Sequence, residues 1–184
     1  MTDHPQQAQP PEMDQETLEF FQAVFELVRS GDAEALEPLL ERGLPVNIRN
    51  HKGDSLLMLA SYHGHLEASR LLLSRGADPE QMNDQAQTPL LGAAFKGDVA
   101  MVKLLLDNGA SVEGAPSGSK TALMFAAMFD RTEIVDLLLA RGADLHAQDA
   151  DGLNALDAAR VMGAKQTTAQ LERLLADNPA PADS

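Results

Sequence analysis

Cysteine is absent from the 184 residues, which excludes a disulfide scaffold, a Cys-based zinc or iron–sulfur site and any thiol nucleophile. Aromatic residues are scarce, six Phe and one Tyr making up 4% of the chain. Positive charge is scarce too: 14 Lys and Arg stand against 28 Asp and Glu, for a net charge of −14. Residues 1–50 hold 10 acidic and 3 basic residues, half of that net charge. Such a surface repels phosphate backbones and anionic lipid, so nucleic acid and membrane surfaces are excluded as partners. Apolar runs stay as short as Leu71, Leu72 and Leu73, far below the roughly 20 residues that span a bilayer. Residues 1–12 have neither a basic start nor an apolar stretch, so no secretory signal is expected and a cytoplasmic location is. No phosphate-binding glycine loop, Gly-x-Ser-x-Gly elbow or His-Glu-x-x-His pair occurs. The expectation is a chain without catalysis and without a cofactor.

What is present is a repeat. Hydrophobic residues reach 44%, enough for a core in one domain of ordinary size. Gly43, Gly76, Gly109 and Gly142 are spaced by 33 residues, as are Ser55, Thr88, Thr121 and Asn154, and Ala60, Ala93, Ala126 and Ala159. The leucine pairs Leu39-Leu40, Leu72-Leu73, Leu105-Leu106 and Leu138-Leu139 keep the same step. Each column has a physical role. Ser, Thr and Asn are helix N-cap types, and Pro89 follows Thr88 at the first helical position, where a missing N–H costs nothing. Gly64, Gly97 and Gly163 end a short first helix about ten residues later. A second helix carries apolar residues at i, i+3 and i+4 (Val102, Leu105, Leu106; Val135, Leu138, Leu139). The 33-spaced glycines close it as C-caps. Asp32 and Asp98 read as caps of second helices, and Asp84, Asp149 and Asp151 as turn-tip residues.

The phrases Thr88-Pro89-Leu90, Gly142-Ala143-Asp144 and Gly64-His65-Leu66-Glu67 make the chain resemble the ankyrin repeat, a 33-residue unit of a β-turn and two helices. The resemblance implies an all-α solenoid over residues 14–176. It divides into an N-terminal cap at 16–49, repeats at 50–82, 83–115 and 116–148, and a C-terminal cap at 149–176. Residues 1–13 and 177–184 are expected to be disordered tails. Three departures stand out. Met58, Leu91, Met124 and Asp157 replace the family's usual His, so apolar packing is expected in place of its hydrogen bond. Asp130 replaces a turn glycine, which predicts strain. Gly92 beside Phe125 in the next unit suggests a ring filling the space that the glycine leaves.

In this family the two residues before the inter-helix glycine vary and face a concave groove together with the turn tips. Here those pairs are Tyr62-His63, Phe95-Lys96, Met128-Phe129 and Val161-Met162. Three of the four aromatics outside the capping helix fall in them. Such a stripe is either an interface of the aromatic and Met type or packing between units. The first reading implies a monomeric, non-catalytic adaptor that binds a partner protein. His51, Lys52, Asp54, Asp84, Gln85, Gln87 and Lys120 would line its rim. The stretch Leu57-Met58-Leu59-Ala60-Ser61-Tyr62-His63-Gly64-His65 also resembles small bacterial ankyrin proteins, some of which support haem enzymes. The alternative reading takes Tyr62, His63 and His65 as ligands of haem or a metal.

Overall fold

A computed structural model describes residues 14–179; the remainder of both expected tails lies outside the described residues. The described residues form five helix pairs: α1 (Gln15–Ser30) with α2 (Ala33–Glu41), α3 (Leu56–Tyr62) with α4 (Leu66–Ser74), α5 (Pro89–Lys96) with α6 (Val99–Asp107), α7 (Ala122–Met128) with α8 (Thr132–Ala140), and α9 (Ala155–Met162) with α10 (Lys165–Asp177). The last helix takes in Asp177, which the sequence assigns to the tail. Extended pairing among the described residues is limited to one bridge between Arg49 and Ser55. The architecture is the expected all-α solenoid.

The first helices α1, α3, α5, α7 and α9 stack in one layer, and the second helices α2, α4, α6, α8 and α10 in another. Small side chains make the first layer tight: Ala60, Ala93, Ala126 and Ala159 are all fully buried. In the second layer Leu72, Leu105, Leu138 and Leu171 are equally enclosed, each burial stabilising by about 1.5–3 kcal/mol relative to exposure. Their neighbours Leu73, Leu106 and Leu139 are only half-buried. The pair inverts in the N-terminal cap, where Leu40 is the buried member and Leu39 the partial one. A capping unit has a neighbour on one side alone, so its helix presents a different face.

The predicted caps form. Ser55, Thr88, Thr121 and Asn154 accept from the backbone N–H three residues on, at 3.1, 3.4, 3.3 and 3.0 Å. Two of the residues replacing the family His also accept from the N-cap backbone, Met124 while enclosed in the core. Thr121 N–H donates to Met124 Sδ (3.4 Å), and Asn154 N–H to Asp157 Oδ2 (3.2 Å). Asp32 and Asp98 cap α2 and α6 as expected.

Asp130 does adopt the left-handed conformation (φ 59°). It is also employed. Its Oδ1 accepts from Gln166 N–H (2.9 Å), Thr167 N–H (2.9 Å) and the Thr167 hydroxyl (3.1 Å). These are first-turn donors of α10, whose own N-cap residue, Ala164, has no side chain to offer. One carboxylate therefore caps the next unit's helix, and the bonds from Thr167 hold its pKa below the ordinary carboxylate value.

Candidate functional site: a concave groove

The turn tips and the free ends of the first helices enclose a groove of about 880 Å³ that spans the N-terminal cap and the following three units. Its floor is aromatic. The Phe95 and Phe129 rings meet edge to face with centroids 4.7 Å apart, a favoured quadrupole arrangement. The Tyr62 ring lies against Gly92, where an added Cβ would come within 3.4 Å of Cδ2. Tyr62, not Phe125, therefore takes the space beside this glycine. Lys96 holds its Nζ 4.7 Å from the Tyr62 centroid, within cation–π range.

The turn tips are built by side chains that act on their own backbone. Asn50 Oδ1 accepts from Lys52 and Asp54 N–H, Asn83 Oδ1 from Gln85 and Gln87 N–H, and Asp149 Oδ1 from Asp151 and Leu153 N–H. The column of spacing 33 is broken at Pro116, which has no such acceptor. Tips are also tied to one another. Arg49 Nη2 bonds Asp84 Oδ1 (2.9 Å), Asn83 Nδ2 bonds Asp54 Oδ1 (3.0 Å), and Lys120 Nζ bonds Asp149 Oδ2 (2.5 Å). The Lys120 bond, followed by that from Leu153 N–H, holds the enclosed Asp149 carboxyl below its ordinary pKa.

Of the residues singled out by sequence, Tyr62, His63, Phe95, Phe129, His51, Lys52, Asp54, Asp84, Gln85 and Gln87 line the groove. Lys96 stands over it through Tyr62. Met128, Val161, Met162 and Lys120 do not line it. Met128 packs against the core, Val161 and Met162 are exposed at the C-terminal cap, and Lys120 is consumed by its ion pair. The stripe thus shortens from four units to three. Met58, Leu91 and Phe125 join the floor unforeseen. Their signal was available: each lies four residues before Tyr62, Phe95 or Phe129, hence on the same helix face. Arg29, 33 residues before Tyr62, is the missing member of that column.

The histidines do not converge on a ligand. His65 Nε2 donates to the Arg29 carbonyl (2.7 Å), and its ring lies so close to Gly31 that a Cβ there would sit 2.5 Å from Nδ1. This imidazole is a strut between units. Arg131, two steps of 33 residues on, does the same work by donating to the Phe95 carbonyl (3.4 Å). His63 stacks on His65 with centroids 6.1 Å apart. Burial first, then the charges of His65, Lys96 and Arg29, pushes its pKa below the ordinary value. Among the described residues no three His, Asp or Glu stand together in a metal-holding arrangement, and no helix is long and apolar enough to cross a membrane.

The comparisons agree with this geometry. Residues 20–115 and 70–149 match the family described as ankyrin repeats (3 copies). Over 65 residues the chain is 62% identical to an ankyrin repeat protein of Pseudomonas aeruginosa, a match covering 35% of this chain and 36% of that one. The match thus spans about a third of the length of that curated relative. With the repeat, the paired helices and the tied turn tips all in register, the chain belongs to the ankyrin repeat family.

Proposed function

We propose that the chain is a non-catalytic adaptor that holds a partner protein in its concave groove. Ankyrin repeats in general serve protein–protein interaction rather than catalysis. The observation that carries the reading here is the floor of Tyr62, Phe95 and Phe129, half-exposed rings in a recess between cross-linked turn tips. Interfaces concentrate their energy in such aromatic anchors. The rim residues His51, Lys52, Gln85 and Gln87 would set the partner's orientation, and the ties between Arg49 and Asp84 and between Asn83 and Asp54 hold the rim in place before binding, which lowers the ordering cost.

The test is cross-linked capture with the full chain, comparing wild type with Phe95→Ala. A protein recovered by the wild type and weakened by about 2 kcal/mol, roughly thirtyfold, in a folded Phe95→Ala variant supports the groove. Equal recovery by both chains assigns binding to another face.

A further inference from the structure

The chain is strongly acidic, yet three cations stand at the groove against two carboxylates, Asp54 and Asp84. Arg29, which pairs with Glu26, and Lys52 line it, and Lys96 overhangs its floor. Among the described residues neither Lys52 nor Lys96 pairs with a carboxylate. The two carboxylates that do line the groove are already engaged. Asp84 is held by Arg49, and Asp54 accepts from the Asn50 and Asn83 amides at 3.2 and 3.0 Å. Lys52 stands on a turn tip and Lys96 at the far end of α5. Positive charge therefore stands at both edges of the apolar floor, at the turn tips and at the far ends of the first helices.

Resting on the adaptor reading above, we propose that this groove takes an extended acidic segment of the partner protein, about six residues long, with a large apolar side chain on the Tyr62–Phe95–Phe129 floor and carboxylates against Lys52 and Lys96. The length follows from the stacking. The floor spans α3, α5 and α7, roughly 20 Å at about 10 Å per helix step, and an extended chain advances about 3.3 Å per residue. Lys96 is already positioned, its ammonium held over the Tyr62 ring with no carboxylate to leave behind. An arriving carboxylate meets a placed cation at little ordering cost. A nucleic acid would find the same lysines, but its continuation past the groove would run over a surface of net charge −14. A six-residue peptide segment ends within the favourable region.

The experiment pans the immobilised full chain against a random dodecapeptide phage library, then titrates the enriched peptides, synthesised with a fluorophore, by anisotropy. A labelled oligouridine of matched length is titrated alongside. Enriched peptides should carry two or more Asp or Glu next to Phe, Leu or Trp. They should bind about tenfold or more weaker to a Lys52→Gln/Lys96→Gln chain and to Phe95→Ala. Raising salt from about 50 to about 500 mM should weaken wild-type binding by a similar factor, a readout that needs no variant. Enrichment of uncharged or basic peptides that still require Phe95 overturns the acidic assignment and leaves the groove as the binding face. Peptides that bind Phe95→Ala as well as wild type overturn both. No enrichment, or tighter binding of the oligouridine, overturns the proposal.

Discussion

The first helices have two faces that obey different rules. The face turned to the neighbouring units and the second layer repeats almost unchanged along the chain, as Leu57, Leu90, Leu123 and Leu156 and the column of Ala60, Ala93, Ala126 and Ala159 show. The column that lines the groove does not repeat: Arg29, Tyr62 and Phe95 line it, and Met128 and Val161, which follow in the same column, do not. A side chain between stacked units meets the same environment each time, so the same volume is required. A side chain on the groove stays partly exposed and meets a different neighbour in each unit, as Tyr62 meets Gly92 and Phe95 meets Phe129, so the stack does not require one volume there. Fold therefore resides in the columns that repeat, and the columns that do not are free of that requirement.

The sharpest way to break this contrast is at the repeating face. Leu105 is fully enclosed in the middle unit, so Leu105→Ala should cost about 2–5 kcal/mol. In a solenoid with only neighbour contacts it should also separate the unfolding of the two ends. An unchanged denaturation midpoint would remove this leucine from the core. Asp130 tests the seam between the last two units. Asp130→Ala keeps the left-handed strain and loses the cap on α10, which should cost about 1–2 kcal/mol. Asp130→Gly loses the cap but relieves the strain, and should fall between that variant and wild type in chemical denaturation.

On the groove face the same truncation should matter less. Phe95→Ala gives up the edge-on contact with Phe129 and part of the ring's burial, a loss of about 1 kcal/mol. That exceeds the near-zero cost expected of a ring facing only solvent, because Phe95 is half-buried against its neighbour. A cost as large as that of Leu105→Ala would make the ring core. Ala86 is, among the described residues, the other non-glycine residue with positive φ, 56°, at a turn tip where Gly53 and Gly152 take the same conformation in their units. Ala86→Gly should stabilise by about 0.5 kcal/mol, the relieved strain exceeding the entropy that glycine adds to the unfolded chain.

The smallest effect is one of pH. Asp149 and Asp130 both have carboxyls below the ordinary value of 3.8 in the folded chain. The unfolded chain takes up their protons first, so their contribution is complete above about that value and is lost as pH falls through the lowered folded values. Asp149→Asn should flatten this acid limb in thermal melts. A limb of unchanged steepness would mean that the tie between Lys120 and Asp149 adds nothing to folding.

Much of the fold can be read from residue types alone. N-caps, left-handed C-caps and the i, i+3, i+4 leucines act within a few residues, so Ser55, Gly109 and Leu138 declare their roles locally. The 33-residue step multiplies that local signal, and Tyr62, Phe95 and Phe129 stand at its equivalent or adjoining positions along the groove. What local chemistry could not supply is anything that one unit does for another. His65 reads as a histidine next to a turn until the Arg29 carbonyl is found 36 residues back in sequence and 2.7 Å away. Asp130 reads as a misplaced turn residue until α10 is packed beneath it, and Lys120 as a free rim cation until Asp149 meets it. The end of the groove, between Phe129 and the exposed pair Val161 and Met162, was likewise invisible in a column of similar apolar residues. The sequence determined the unit and its repetition because those depend on backbone hydrogen bonding and burial at short range. The tertiary structure decided which charges are spent on the stack and which remain at the groove, since that depends on how closely consecutive units approach.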